Sequence, residues 1–160
     1  MKQIHSDLLY KSIGAAFYSI HLGGGPFGAI VTDSKNEIIA IGYNCVRTNN
    51  DSTAHAEIQA IRQSQTKLKT YDLSGYNLYT SAEPCIQCFG AIYWSGIKNV
   101  YVGASKKLTE EIGFDEGPVS KELWDIAKNK KGINYFTNLL SEDIVRRPFD
   151  LYKGMNGKIY

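Results

Sequence analysis

Four residues of this sequence have the types and the spacing of a metal site with its own acid–base group. His55 and Glu57 are separated by one residue, and Cys85 and Cys88 by two. Imidazole and thiolate groups are preferred ligands of zinc, and three protein ligands leave a fourth position for a water molecule, whose pKa the metal lowers to about 7. A neighbouring carboxylate can then move protons. The sequence therefore predicts one zinc ion per chain, bound by His55, Cys85 and Cys88, with Glu57 as general acid and base.

The predicted elements place these side chains at the open ends of two helices. Cys85 and Cys88 are three residues apart, so both thiols lie on one helix face. Pro84 suits the start of that helix, because an N–H group there would have no hydrogen-bond partner within the helix. The positive end of a helix lowers the pKa of a thiol. On an ideal helix His55 and Glu57 would diverge by roughly 200°. We therefore expect the metal to lie beyond the helix end, where both side chains reach it.

A structural zinc site would need a fourth protein ligand. The candidates are Cys45, His5 and His21, and none has the close spacing of a ligand pair. Cys45 follows a predicted strand, where a single small thiol is more often part of the core. Cys-x-x-Cys alone could be a redox pair, and His-x-Glu alone could arise by chance. Their combination, with 29 residues between His55 and Cys85, favours one catalytic metal site.

Length and composition fit a single domain, residues 1–160, and narrow the classes of function. Of the 160 residues, 43% are hydrophobic and 21% charged, which is ordinary for a globular protein. A net charge of +2 does not indicate a nucleic-acid surface. No apolar stretch suits a signal peptide or a membrane span. Three cysteines without an export signal favour metal binding and a cytoplasmic location. The basic clusters are interpreted as solvated surface: Lys128, Lys130 and Lys131, and Arg146 and Arg147.

The hydrophobic pattern predicts helices that alternate with strands. Apolar spacing indicates an opening helix, and two segments rich in Ile and Val around a turn indicate an antiparallel hairpin. The predicted strands are 28–33, 37–43, 77–80, 99–103 and 133–136, and the predicted loops are 47–53 and 108–118. The predicted helices are 4–22, one that carries Ile58, Ile61 and Leu68, 85–94, one from about residue 120, and 142–152. This order predicts a three-layer α/β/α domain with a mixed sheet of about five strands.

The sequence resembles the zinc-dependent deaminases of the cytidine-deaminase superfamily at its His-x-Glu and Pro-Cys-x-x-Cys motifs. Over nearly the whole chain it is similar to the bacterial guanine deaminases, in the segments GPFGA (25–29), NNDSTAHAE (49–57), YTSAEPCIQCFGAIYW (79–94) and GFD (113–115). The resemblance implies a cytidine-deaminase-like fold. It also implies hydrolytic deamination of guanine to xanthine and ammonia, with Glu57 as the proton shuttle.

The same resemblance implies residues that bind the purine. In such enzymes an Asn on the second strand binds the base, a role that falls to Asn44 here, and Glu116 would assist at the amino group. An ionised carboxylate accepts hydrogen bonds from the N1–H and 2-amino groups of guanine. The neighbouring Asp115 competes for that role. Phe27 would form an aromatic wall of the site, or belong to the core. Tyr160 would cover the bound base, or belong to a frayed terminus.

Several alternatives stay open at this point. The metal motifs are shared with the tRNA adenosine deaminases, whereas the segment 108–117 (LTEEIGFDEG) is similar to the guanine enzymes and favours guanine. Guanosine is an alternative substrate, and a zinc-stabilised interaction module is the alternative outside enzymes. The expected partners are a small purine and a second copy of the chain, in a homodimer that can exchange the segment of about 141–160. Gln87 stands where the family commonly has Met.

Overall fold

Helices and strands alternate along the computed structural model, which describes residues 2–128 and 132–160. The helices are α1 (Lys2–His21), α2 (Val46–Asn49), α3 (Ala56–Leu68), α4 (Ile86–Ser95), α5 (Lys106–Glu111), α6 (Gly117–Lys128), α7 (Glu142–Val145) and α8 (Arg147–Gly154). The strands are β1 (Gly28–Thr32), β2 (Ile38–Tyr43), β3 (Asn77–Ala82), β4 (Asn99–Ala104) and β5 (Asn134–Phe136).

The strands form one mixed sheet in the order β2-β1-β3-β4-β5. β1 is antiparallel to β2 and to β3, whereas β4 is parallel to β3 and β5 is parallel to β4. Four strands therefore end at one edge of the sheet, here called the carboxyl edge, and β1 begins there. This edge brings together residues that are distant in sequence: Phe27, Asn44, Glu83 and Ser105 each lie one residue outside a strand.

Side chains alternate between the two faces of the sheet, and each face packs against its own helices. One face packs against α3 and α4 in a buried cluster with the strand residues Ala29, Val31, Leu78, Val100 and Val102. The other face packs against α1 in a cluster with Ile30, Tyr79 and Tyr101. α7 and α8 extend this second layer through Val145 and Phe149. The predicted three-layer α/β/α fold with a five-stranded mixed sheet is confirmed.

β2 lies close to α3 because residue 42 is a glycine. A Cβ atom at Gly42 would lie 2.2 Å from the carbonyl oxygen of Ala56 and 2.4 Å from the amide nitrogen of Ala60. A side chain at this position would push α3 away from the sheet, and with it His55, which precedes the helix. A small residue on a strand thus helps to place one predicted metal ligand.

The helices and strands predicted before residue 105 are confirmed to within a few residues, although the predicted loop 47–53 begins with the short helix α2. The loop predicted over 108–118 is wrong, because α5 occupies Lys106–Glu111 and α6 begins at Gly117. Ser105 caps α5, since its hydroxyl accepts a hydrogen bond from the N–H of Leu108 at 3.4 Å. Burial of Leu108 in the core then stabilises a helix that its polar composition did not suggest.

The single C-terminal helix predicted over 142–152 is also wrong, because this segment forms α7 and α8. Pro148 has no N–H group, so it cannot extend the hydrogen-bond ladder of α7. It lies instead in the first turn of α8, where a missing N–H has no cost. The chain therefore starts a new helix at Arg147.

The basic residues do not form a continuous stripe in the described structure. Arg146 and Arg147 each form ion pairs with carboxylates of α7 or α8, as expected of a solvated surface. Lys130 and Lys131 of the other predicted cluster lie outside the described residues, as does the side chain of Lys128. Within the described ranges, no helix has the length and apolarity needed to cross a bilayer.

Candidate active site

The predicted metal ligands lie at the N-terminal ends of α3 and α4. His55 is the residue before α3 and Cys85 is the residue before α4, and both have an extended backbone. Cys88 lies in the first turn of α4. Because β2 and β3 end at the same edge of the sheet, the two helix ends meet. His55 is outside the helix, so its side chain is not held on the face opposite Glu57, and both can reach one point.

The three ligand atoms are close enough to bind one ion. Nδ1 of His55 lies 3.5 Å from Sγ of Cys85 and 3.6 Å from Sγ of Cys88. All three atoms lie within 4.8 Å of one another. Ligands about 2.0–2.3 Å from a tetrahedral zinc ion are about 3.3–3.8 Å from each other, so the observed spacing and the donor set both fit zinc.

No fourth ligand joins this cluster among the residues that the structure describes. Cys45 is only partly buried, and its Sγ lies 3.4 Å from the carbonyl oxygen of Tyr43. His5 instead stacks on Tyr101 and hydrogen-bonds with the hydroxyl of Tyr79 at 2.7 Å. Three protein ligands with an open position are the arrangement of a catalytic zinc site, whereas structural sites use four.

The two thiols differ in acidity. The hydrogen bond with Cys88, helped by His55 and opposed by burial, lowers the pKa of the Cys85 thiol to about 4. The same bond and then burial raise the pKa of the Cys88 thiol well above its ordinary value. Burial lowers the pKa of His55, but contact with Cys85 outweighs it and the pKa is raised overall. Protons must therefore leave this cluster when a metal ion binds.

Glu57 is a buried carboxyl group beside the ligands and is 6% exposed. Its Oε2 accepts a hydrogen bond from Sγ of Cys88 at 3.4 Å, and its Oε1 accepts one from the hydroxyl of Thr80 on β3 at 3.2 Å. Burial, and then the negative charge of Cys85, raise the pKa of Glu57. A carboxyl group with a raised pKa is suited both to accept and to donate a proton near neutral pH.

These groups line a cavity of about 150 Å³ at the carboxyl edge. A cavity of about this volume holds one small aromatic ring, so the site suits a small molecule. Every predicted catalytic and substrate-binding residue lies in its wall, together with two of the ligands. The lining is Phe27, Asn44, His55, Glu57, Glu83, Cys85, Thr109, Phe114, Asp115, Glu116 and Tyr160.

Asn44 lies one residue beyond β2 and is 2% exposed. Its Oδ1 accepts hydrogen bonds from the N–H groups of Gly25 (3.3 Å) and Val46 (3.2 Å) and from the hydroxyl of Tyr160 (2.7 Å). The two backbone donors identify this atom as the amide oxygen. Within the described structure Nδ2 has no protein partner, so Asn44 offers a hydrogen-bond donor to the cavity.

Glu116 offers the complementary acceptor. Its Oε2 accepts hydrogen bonds from Nζ of Lys106 at 3.0 Å and from the hydroxyl of Ser120 at 2.5 Å. No protein donor contacts Oε1 in the described ranges. The charge of Glu116 also contributes to the raised pKa of His55, which places this carboxylate within electrostatic reach of the ligands.

Asp115 has different partners. Its side chain is 57% exposed, against 27% for Glu116. Its Oδ1 accepts a hydrogen bond from the N–H of Gly117 at 2.9 Å and pairs with Nζ of Lys121 at 3.4 Å. Asp115 is therefore the more exposed of the two carboxylates and pairs with residues of α6, whereas Glu116 is the less exposed one.

Aromatic side chains form the rest of the wall. The ring of Phe27 lies 4.9 Å from that of Phe114 and 5.6 Å from that of Phe149, so Phe27 belongs both to the cavity and to the core. Tyr160 lies edge-on to Phe114 at 5.6 Å, and its hydroxyl bonds to Asn44. The terminus is packed against the site of its own chain, not frayed. An exchange of this segment between subunits stays a prediction.

Several residues around the site have no role in the sequence-based prediction. Glu83, Thr109 and Phe114 line the cavity. Glu83 and Phe114 stand within the resembling segments, which is the signal that could have identified them, whereas Thr109 lay in the wrongly predicted loop. Gln87 lies outside the cavity lining, and its side-chain amide donates to the carbonyl oxygen of Thr53 at 3.3 Å. It thus links α4 to the segment before His55.

Known sequences match most of this chain. Residues 2–104 match the cytidine and deoxycytidylate deaminase zinc-binding region. A guanine deaminase of Bacillus subtilis (strain 168) is 38% identical over 155 residues, which are 96% of this chain and 97% of the relative. A tRNA-specific adenosine deaminase of Buchnera aphidicola subsp. Schizaphis graminum is 40% identical over 116 residues, 72% of this chain and 73% of the relative.

Solved structures with the same fold include purine complexes. A guanine deaminase from Nitrosomonas europaea is 35% identical with a TM-score of 0.82, over 93% of this chain and 84% of that chain. The protein NE0047 in complex with 2,6-diaminopurine is 37% identical with a TM-score of 0.85, over 98% of this chain and 85% of that chain. The similarity to these structures extends beyond the metal region to nearly the whole chain.

Proposed function

The chain belongs to the zinc-binding cytidine and deoxycytidylate deaminase family, and on that premise we propose that it hydrolyses guanine to xanthine and ammonia. It is a hydrolase of C–N bonds, and His55, Cys85 and Cys88 are positioned to bind the one metal ion that the reaction needs. Two guanine deaminases match nearly the full chain at 35% identity or more, and a similar structure binds a small purine.

One observation carries the choice of guanine: Asn44 and the Glu116 carboxylate line the same cavity, and Nδ2 of Asn44 and Oε1 of Glu116 have no protein partner among the described residues. Guanine carries hydrogen-bond acceptors and, at N1–H and the 2-amino group, adjacent donors. An ionised carboxylate only accepts hydrogen bonds, so it pairs with these adjacent donors of guanine, whereas the ring nitrogen next to the amino group of adenine or cytosine is itself an acceptor. Glu116 thus faces the amino group that is lost, and Phe27 and Tyr160 enclose the ring.

The chain's own residues account for the proton transfers. His55, Cys85 and Cys88 would hold a zinc ion, which would supply a Lewis acid able to lower the pKa of the attacking water to about 7. Glu57 accepts a proton from the attacking water and delivers it to the ring nitrogen. A second proton then passes through the same carboxyl group to the departing amine. The C2–N bond breaks, ammonia leaves, and the added oxygen becomes the 2-oxo group of xanthine.

The other candidate substrates are weaker fits. The match to a tRNA-specific adenosine deaminase spans 72% of this chain, and the C-terminal tail contributes Tyr160 to the lining of the cavity of about 150 Å³. A nucleotide within a stem-loop, and the ribose of guanosine, would have to displace that tail. A homodimer and a cytoplasmic location belong to the same proposal. A reducing compartment would keep the thiol ligands free.

Glu57→Ala tests the proposal. We expect the variant to bind one zinc ion per chain and to lose about 10²- to 10⁴-fold in guanine turnover, the usual contribution of general acid–base catalysis. Xanthine formation and metal content are the measurements. Glu142→Ala, which removes an exposed carboxylate on α7, is the matched control and should keep full activity. Unchanged turnover in Glu57→Ala would instead indicate a protein whose zinc serves only folding.

A further inference from the structure

Among the ion pairs between described residues, the pair of Lys106 and Glu116 has the least exposed side chains. The side chains of Lys106 and Glu116 are only 15% and 27% exposed, with Nζ and Oε2 3.0 Å apart. In the other ion pairs between described residues, the least exposed side chain is 34% exposed. Exposed pairs contribute little because water screens them, whereas a pair withdrawn from water holds its geometry more firmly.

The position of Lys106 follows from the sheet. β3 and β4 are parallel, and Ala82 pairs with Ala104 at their carboxyl ends. Lys106 follows β4 by two residues and begins α5, so it lies at the carboxyl edge next to the segment that carries Cys85. Its backbone N–H donates to Oε2 of Glu83 at 3.2 Å. Lys106 therefore contacts two carboxylates of the cavity lining, Glu83 through its backbone and Glu116 through its side chain.

The contact fixes the direction of the Glu116 carboxylate. Both protein donors, Nζ of Lys106 and the hydroxyl of Ser120, bond to the same oxygen, Oε2. With Oε2 anchored, Oε1 is the oxygen of this cavity-lining carboxylate that has no protein donor among the described residues. Lysine offers only donors, which suits an ionised partner.

We infer that Lys106 is a positioning residue for substrate recognition, which holds Glu116 so that Oε1 accepts hydrogen bonds from the amino-bearing side of the purine. This inference rests on the proposed function and deepens it. Lys106 lies outside the cavity lining and influences the substrate through Glu116. Its removal should therefore matter only while the Glu116 carboxylate is present.

The test is a double-mutant cycle on guanine turnover by the zinc-loaded full chain. Lys106→Met should lower kcat/KM about tenfold or more, because hydrogen bonds to charged groups contribute effects of that order. In a Glu116→Gln background the same substitution should have no further effect, since the two residues act as a unit. Lys107→Met removes an adjacent exposed charge outside the cavity lining and should behave as wild type.

Two results would overturn the inference: Lys106→Met indistinguishable from Lys107→Met, or losses from Lys106→Met and Glu116→Gln that multiply in the double variant. Thermal melting and zinc content accompany each variant. If Lys106→Met does not melt cooperatively, Ser120→Ala is used in its place, because it removes the other donor to Oε2. Ser120→Ala should then lower kcat/KM in the wild-type background and have no further effect in the Glu116→Gln background. A wild-type chain that does not turn over guanine would refute the proposed function itself, which is a distinct result.

Discussion

Asn44 and Glu116 both line the cavity, and each bonds to the protein through one polar atom while the other has no protein partner among the described residues. Oδ1 of Asn44 accepts three hydrogen bonds, and Oε2 of Glu116 accepts two. The committed atoms fix each side chain before a substrate arrives. Such preorganisation lowers the entropy cost of binding and gives the site a defined donor and a defined acceptor.

The two neighbouring carboxylates can be separated by matched substitutions. Glu116→Gln should lower kcat/KM for guanine about 10- to 100-fold with zinc retained, because an amide no longer provides a charged acceptor. Asp115→Asn should stay close to wild type, since Asp115 bonds to Gly117 and Lys121 at the start of α6. Steady-state kinetics with metal analysis measures both. A larger loss of kcat/KM in Asp115→Asn than in Glu116→Gln would instead identify Asp115 as the carboxylate that binds the substrate.

Zinc affinity should rise with pH. Zinc binds thiolates and neutral imidazole, and the pKa values of Cys88 and His55 are both raised in the metal-free chain. Below those pKa values binding must displace protons, so affinity should increase about tenfold per pH unit for each proton released. Competition with a chelator from about pH 6 to about pH 8 measures this slope. Cys45→Ser should leave it unchanged, and a flat profile would show that no ligand proton is displaced.

At the scale of elements, the decisive feature is where helices begin. His55 and Cys85 precede α3 and α4, so their side chains project beyond the helix ends toward a shared point. Sequence spacing could predict this, because ligands, a helix-starting Pro84 and strand order are local signals. It could not predict α5, whose stability comes from a cap at Ser105 and from burial of Leu108 against distant residues.

The C-terminal residue Tyr160 contacts the Gly-rich segment that follows α1. A Cβ atom at Gly25 would lie 1.9 Å from the hydroxyl oxygen of Tyr160. Gly25→Ala should therefore displace Tyr160, break its bond to Asn44 and raise KM for guanine about tenfold, with zinc content unchanged. Gly14→Ala, where no atom lies within 4 Å of the added Cβ, is the matched control. An unaltered KM in Gly25→Ala would mean that Tyr160 does not contribute to binding.

At the scale of the whole molecule, the site is assembled from segments between Phe27 and Tyr160. The sheet topology brings four strand ends and one strand start to the same edge, which is why residues distant in sequence converge. Motif spacing alone could identify the metal ligands and Glu57. The hydrogen-bond partners of Glu116 and the position of Tyr160 depend on tertiary contacts, so no local sequence pattern could reveal them.

The measurement that tests the central claim most directly is ammonia release by the zinc-loaded chain from guanine, guanosine, adenine, cytosine and a tRNA anticodon stem-loop, assayed side by side. The account predicts that guanine is the preferred substrate and that xanthine accumulates in step with ammonia. Inosine formation in the stem-loop, without xanthine formation from free guanine, would contradict it and identify a tRNA adenosine deaminase instead.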